Sequence, residues 1–219
     1  MKRVTLLISL LSLLALTSCI SINLNTAQGE VVENTVTITD DITAIAISSG
    51  IDAIVDPSLP RGEVRILTHT DMHDFVVVEV ENKSLNISLK PRSLIAEVLE
   101  VRIPAYDYDT IAISGGSDFE WACCDVATLT VAASSGSDVE IKGHCQRLTA
   151  AVSSGADLDL EELVAENVVI AASSGADAHV HATMQLVVNA SSGSDVTYSG
   201  NPTSKDIHTS SGANVSSAR

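Results

Sequence analysis

Through the second half of the chain, apolar residues fall at every second position in blocks that recur. Leu129, Val131 and Ala133 form one block. Leu148, Ala150 and Val152 repeat it, as do Val168, Ile170 and Ala172, and then Leu186, Val188 and Ala190. Each block runs into a polar corner, beyond which a second alternating pair stands. These pairs are Phe119 and Trp121, Val139 and Ile141, Leu158 and Leu160, Ala178 and Val180, and Val196 and Tyr198. Period-two alternation on both sides of a corner predicts short, half-buried strands. The corner itself is a repeated phrase. It reads ISGGSDFEW at 113–121, ASSGSDVEI at 133–141, VSSGADLDL at 152–160, ASSGADAHV at 172–180, ASSGSDVTY at 190–198 and TSSGANVSS at 209–217, with an isolated copy, ISSGIDAIV, at 47–55.

The corner glycines are Gly50, then Gly116, Gly136, Gly155, Gly175, Gly193 and Gly212; the last six are spaced by 20, 19, 20, 18 and 19 residues. A fixed period of this size marks a stacked array. Two strands, a corner and a return use up the period, and paired serines with glycine would interrupt any helix. Like strands therefore stack in parallel, about 4.8 Å apart. The expected fold is all-β: a parallel β-helix, each coil burying its inward face against its neighbours. Glycine at the corner allows a turn that a Cβ would hinder.

Ahead of the array, strand patterns begin near Val31 and continue at 35–39, 43–48, 63–69, 75–81, 84–90, 98–104 and 108–114. Gly50 and Gly116 are 66 residues apart, so extra strands are inserted between the first two coils. Short connections make some of them antiparallel, and Glu81-Asn82-Lys83 reads as a tight turn. ELVAEN at 162–167 is the one place where a helical turn is expected. At the other end, Lys205 and Ser217 take positions that are apolar in earlier coils, which reads as a polar cap.

The first 18 residues have a different character. Lys2 and Arg3 precede a 13-residue, mostly apolar run, Val4 to Leu16, too short to cross a bilayer. Leu16-Thr17-Ser18-Cys19 resembles a bacterial lipobox, which implies cleavage before Cys19 and lipidation of its thiol. The domain plan is then a lipoprotein signal peptide at 1–18, a tether at 19–29 and a β-helix domain at 30–219. The mature chain is expected in the cell envelope, lipid-anchored at the outer membrane on its surface or periplasmic face. The tether holds no acidic residue between Cys19 and Glu30, which keeps a periplasm-facing, envelope-stress role among the alternatives.

Removing the leader leaves 10 basic and 28 acidic residues, a formal charge of −18. That charge argues against nucleic acid or an anionic bilayer surface as partner. Cys123, Cys124 and Cys145 remain in a compartment that permits disulfides. Cys124 and Cys145 fall on neighbouring coils, which makes them the expected bridge.

Taken together, VEVENKSLNISL at 78–89, LEVRIPAYDYDTIAISGGSDFE at 99–120, the SSGSD and SSGAD repeats, and YSGNP at 198–202 resemble the auto-transporter adhesin head, or GIN, domain family, common among exported lipoproteins of Bacteroidetes. The resemblance covers about 40 to 215. It implies a right-handed β-helix and an adhesive role, and it offers no catalytic residue to carry over.

Four sets of residues invite chemistry. The corner acids Asp52, Asp118, Asp138, Asp157, Asp177 and Asp195, followed by Asn214, form a column that could hold Ca²⁺. The favoured reading is turn chemistry, because Asn replaces Asp in the last copy and both can accept backbone N–H bonds. Glu120, Glu140, Asp159 and His179 form an outward column. Glycoside chemistry would need a defined acid–base pair across a cleft, and a solvated strand face is expected instead. His179 and His181 share a face with His144 a coil or more away, too few ligands for a metal centre. The corner serines lack a nucleophile motif and read as turn hydroxyls. The expected function is therefore a non-catalytic surface module, without cofactor or metal, that binds glycan or protein. A β-helix carbohydrate-active enzyme is the alternative.

Overall fold

The computed structural model describes residues 25–38, 41–91 and 94–218. The segment read as a signal peptide, Cys19 and the start of the segment read as a tether lie outside the described residues. The chain enters through β1 (Asn25–Thr26) and β2 (Val31–Thr37). β3 (Ala44–Ile47) and β4 (Asp52–Asp56) flank the first corner. The inserted strands are β5 (Glu63–His69), β6 (Val76–Glu81), β7 (Ser84–Leu89), β8 (Leu94–Ile95) and β9 (Leu99–Pro104). The array then runs through β10 (Thr110–Ser114), β11 (Asp118–Ser134), β12 (Asp138–Ser153), β13 (Asp157–Ser173), β14 (Asp177–Ala190), β15 (Asp195–Ser199), β16 (Ser204–Thr209) and β17 (Asn214–Ser217).

The expected parallel β-helix is present. β10 to β14 stack in parallel, and β15 and β16 both lie on β14, with β17 on β15. Inward columns are in register: Leu129, Leu148, Val168 and Leu186 pair in sequence, and all four are fully buried. Burying each such side chain contributes roughly 1.5–3 kcal/mol. Between the first two coils, β5 runs antiparallel to both β2 and β9, while β9 joins β4 in parallel. β6 and β7 form a hairpin whose turn residues, Asn82 and Lys83, have φ of 51° and 65°. Two positive φ values in a two-residue loop match the right-handed twist of the strands.

Two expectations change. ELVAEN forms no helical turn, because β13 runs straight through it, with Leu163 paired to Gly143 and Ala165 to Cys145. Leu163 and Ala165 are fully buried, so the neighbouring coil's ladder overrides local helix propensity. The segment read as a tether is docked from Asn25 onward. β1 pairs with β8, Ala27 is buried, and the His69 Nδ1 lies 2.8 Å from the Gly29 carbonyl.

The corners explain their composition. The second serine and the glycine are both left-handed: Ser135 at 60° and Gly136 at 67°, Ser154 at 58° and Gly155 at 67°. This pair of conformations aims the peptide groups along the coil axis, so the ladder continues around the bend. Gly136 N–H donates to the Ser154 carbonyl at 3.2 Å, and Gly155 N–H to that of Ser174 at 3.2 Å. The residue after each glycine points inward: Ile51, Ser117, Ser137, Ala156, Ala176 and Ser194 are all fully buried.

Candidate functional site: the outward columns

Since every coil repeats in register, its outward side chains become straight columns. Just beyond the corner, Asp52, Asp118, Asp138, Asp157, Asp177, Asp195 and Asn214 pair one to the next, and Glu100 extends the line beyond Asp52. Two residues further on, Glu120, Glu140, Asp159 and His179 form the second column. Six of these carboxylates, with Phe119 and Val139, line a shallow depression of about 220 Å³. Like charges one strand apart oppose each other's ionisation. Burial, and then the neighbouring carboxylates, push the Asp118 and Asp157 carboxyls above their ordinary value of 3.8; for Asp52, burial is followed by Glu100.

The corner carboxylates accept no hydrogen bond among the described residues, which corrects their reading as turn acceptors. Asp opens the strand beyond the corner and points out. In the copies that carry serine before the Asp, that buried serine bonds the backbone instead. Ser117 Oγ accepts bonds from Gly50 N–H and Ile51 N–H, both at 3.1 Å. Ser137 Oγ accepts from Ser134 N–H at 3.1 Å and donates to the Ile113 carbonyl at 3.3 Å. The signal was present as the small residue between glycine and aspartate.

A stacked column of like charge should strain the fold at neutral pH. Asp157→Asn removes one charge between Asp138 and Asp177 and loses no hydrogen bond. Its melting temperature should rise by on the order of 1–3 °C at pH 7. Because the folded carboxyl pKa values are raised, the folded chain binds protons more tightly than the unfolded chain. The stability linked to them is fully present below the ordinary value of 3.8 and is lost as pH rises through the raised values. The gap between variant and wild type should therefore close on acidification towards pH 4. Ca²⁺ and NaCl at equal ionic strength should shift the wild-type melt alike. A far larger calcium shift, absent from the variant, would make the column a calcium site.

The face before the corner carries no charge through its middle. Ala46, Ala112, Ala132, Ala151 and Ala171 pair in one outward column. Ser114, Ser134, Ser153 and Ser173 run beside it, and Thr110, Thr130, Thr149 and Val169 on its other side. Side chains this short leave a flat sheet surface.

The remaining candidates do not converge. His179 lies in register with Asp159 and Thr197, whereas His181 Nδ1 contacts Ser199 Oγ at 3.0 Å. Val164 stands between His144 and His181 in the ladder. Among the described residues no group of three or more His, Cys, Asp or Glu is placed to hold a metal ion. Lys142 is tied to Glu140 at 2.7 Å and Glu162 at 3.2 Å, and hydrogen bonds to these two carboxylates push its pKa up to about 12.

Cys124 and Cys145 are buried free thiols, and Cys123 is exposed. Cys124 pairs with Gly143 and Cys145 with Val126, so the two buried cysteines are diagonal rather than opposite. Diagonal Cα atoms lie roughly 7–8 Å apart, beyond the span most disulfides bridge. Burial pushes Cys124 up to about 12 and Cys145 up to about 11. In the native chain Cys123 should label with a thiol reagent at once, and Cys124 and Cys145 only after unfolding. If the unfolded, unreduced chain still withheld two thiols, the bridge would be established.

Tyr106, Tyr108 and Trp121 gather where the inserted strands meet the array. Tyr108 is fully buried, its ring centroid 5.6 Å from that of Trp121 and edge-on to it, and its hydroxyl donates to the Pro104 carbonyl at 2.6 Å. Arg61 lies over the Tyr106 ring at 4.9 Å. No local pattern in the sequence marks this cluster, because Arg61 and Trp121 meet the Tyr106–Tyr108 pair only through the packing of the inserted strands on the array.

A filled coil whose outward columns are flat and in register defines a β-solenoid built to display repeated faces. The chain belongs to the family described as putative auto-transporter adhesin, head GIN domain, whose model matches residues 41–202, nearly three quarters of its length. That membership makes it an adhesin-like protein of the cell surface or envelope class. Among solved structures, a putative adhesin from Bacteroides fragilis superposes with a TM-score of 0.72 at 14% identity, covering 88% of this chain and 99% of that one. A putative lipid binding protein from Parabacteroides distasonis gives 0.54 at 15% identity, covering 89% and 99%. A putative adhesin from the same species gives 0.51 at 14% identity, again covering 89% and 99%. At such identities the likeness is one of fold. No curated protein matches the chain.

Proposed function

We propose that this chain is a non-catalytic, lipid-anchored module of the cell envelope that holds a glycan or protein against its flat face. The observation that carries the reading is the in-register column of Ala46, Ala112, Ala132, Ala151 and Ala171 between a serine column and a threonine column that ends in Val169. Identical rows one strand apart suit an extended partner that repeats along its own length, since many weak contacts add by avidity. Tying Lys142 between two acids supports a binding role over an acid–base one, because the cation beside the carboxylates is already engaged.

Purified chain applied to glycan and extracellular-protein arrays should bind a ligand. Ala151→Arg, which raises a bulky charge in the middle of the face, should abolish that binding, whereas Glu161→Gln, exposed on the return of β13 and away from the face, should retain it. Binding that survives Ala151→Arg would move the site elsewhere.

Cys19 is assigned the anchor. Cys19→Ala should lose all incorporation of an acyl probe in metabolic labelling, since only the thiol accepts the lipid. Equal labelling of the variant would refute the anchor.

A further inference from the structure

We infer that the C-terminal end of the solenoid is the face through which two copies of this chain join end to end, β16 against β16 in antiparallel pairing. β16 lies on β14 and carries no strand on its other side among the described residues. Ser210 N–H donates to the Ala190 carbonyl, so alternation turns the even-numbered backbone groups of β16 inward to β14. The N–H and C=O of Lys205, Ile207 and Thr209 then face the open edge, a template for another strand.

The side chains choose the partner. Ile207 continues the column of Ile170 and Val188, both fully buried, yet is itself 38% exposed. On either side of Ile207, Asp206 and His208 point out, with Asp206 Oδ1 and His208 Nε2 at 3.1 Å. A two-fold axis through Ile207 sets it opposite its own copy as a hydrogen-bonded pair. Asp206 then faces His208 of the other chain, twice, as the non-hydrogen-bonded pairs whose side chains approach more closely. The register centred on Asp206 instead sets two carboxylates face to face. A strand whose acid and base straddle an exposed apolar residue is self-complementary, which is what an isologous contact requires.

Charge favours this end over the rest of the molecule. The acidic column stops at Asn214, and residues 196–219 hold one acid, Asp206, against Lys205 and Arg219. Two strongly acidic chains meet here with the least repulsion.

The test is sedimentation velocity of the full-length chain in detergent at micromolar concentration, where wild type should be a dimer. Asp206→His sets two imidazoles opposite each other, and His208→Asp sets two carboxylates; each should raise the dissociation constant at least tenfold. The double exchange restores the acid–base pairing and should restore the dimer. All four side chains involved in one pairing are exposed, so melting temperature should hold within a few degrees across the set. A monomeric wild type, single variants that dimerise as well as wild type, or a double exchange that fails to recover would each overturn the inference.

Discussion

Gly143→Ala is expected to destabilise the solenoid by more than about 3 kcal/mol, and Gly155→Ala by only about 1–2 kcal/mol. Gly143 sits at the return bend with φ of 132°, and a Cβ there would fall on the carbonyl oxygen of Cys124 and within 2.8 Å of its nitrogen. Both are backbone atoms of the adjoining coil, so relief requires the two coils to part. At Gly155, by contrast, nothing lies within 4 Å of where a Cβ would stand, and the left-handed backbone is the sole cost. Ser154, left-handed at 58° beside it, shows that the corner accepts side chains in that conformation. Gly155→Val should cost more than Gly155→Ala, because a β-branched residue is poorly tolerated there. Urea denaturation of the three variants measures this order. Equal losses at Gly143 and Gly155 would contradict the close approach at the bend.

Tyr108→Ala should cost on the order of 3–5 kcal/mol. The ring fills the junction between inserted strands and array, edge-on to Trp121, and its hydroxyl satisfies the buried Pro104 carbonyl. Tyr108→Phe keeps the ring and orphans only that carbonyl, a loss of about 1–3 kcal/mol. Trp121 is the single tryptophan, so its emission reports this junction directly. In Tyr108→Ala the emission transition should move to much lower urea, with Tyr108→Phe between it and wild type. A Tyr108→Phe midpoint equal to that of Tyr108→Ala would shift the weight from ring packing to the hydrogen bond.

The columns were legible because corner and core share one period: Leu129 and Leu148 could be aligned from their distance to glycine alone. The Asn82-Lys83 turn was legible from residue type. What escaped depends on contacts between coils. Nothing local to ELVAEN reveals that Gly143 and Cys145 of the coil beneath will hold it extended. The corner aspartates looked like turn acceptors by composition, yet the carboxylates turn out while Ser117 and Ser137 bond the backbone from inside. The corner glycines stand out by repetition, although Gly143 and Gly200, outside the repeat, are pressed against neighbouring backbone far more closely than Gly136, Gly155 or Gly175. Cys124 and Cys145 fell on adjoining coils as expected, and the ladder's slip at the bend, invisible in the spacing, sets them diagonal.

That slip has a consequence for how the chain can change over time. The ladders break step between Trp121 and Cys124, between Glu140 and Gly143, and between Leu160 and Val164, always on the return, while corners stay matched residue for residue. Spacings of 18, 19 and 20 are therefore accommodated on one side of the solenoid. A residue gained or lost there leaves both displayed faces aligned, whereas the same change near a corner would rotate every outward side chain of that strand inward. The return is thus where insertions can accumulate, and loops bearing new specificity could grow from it without renegotiating the scaffold.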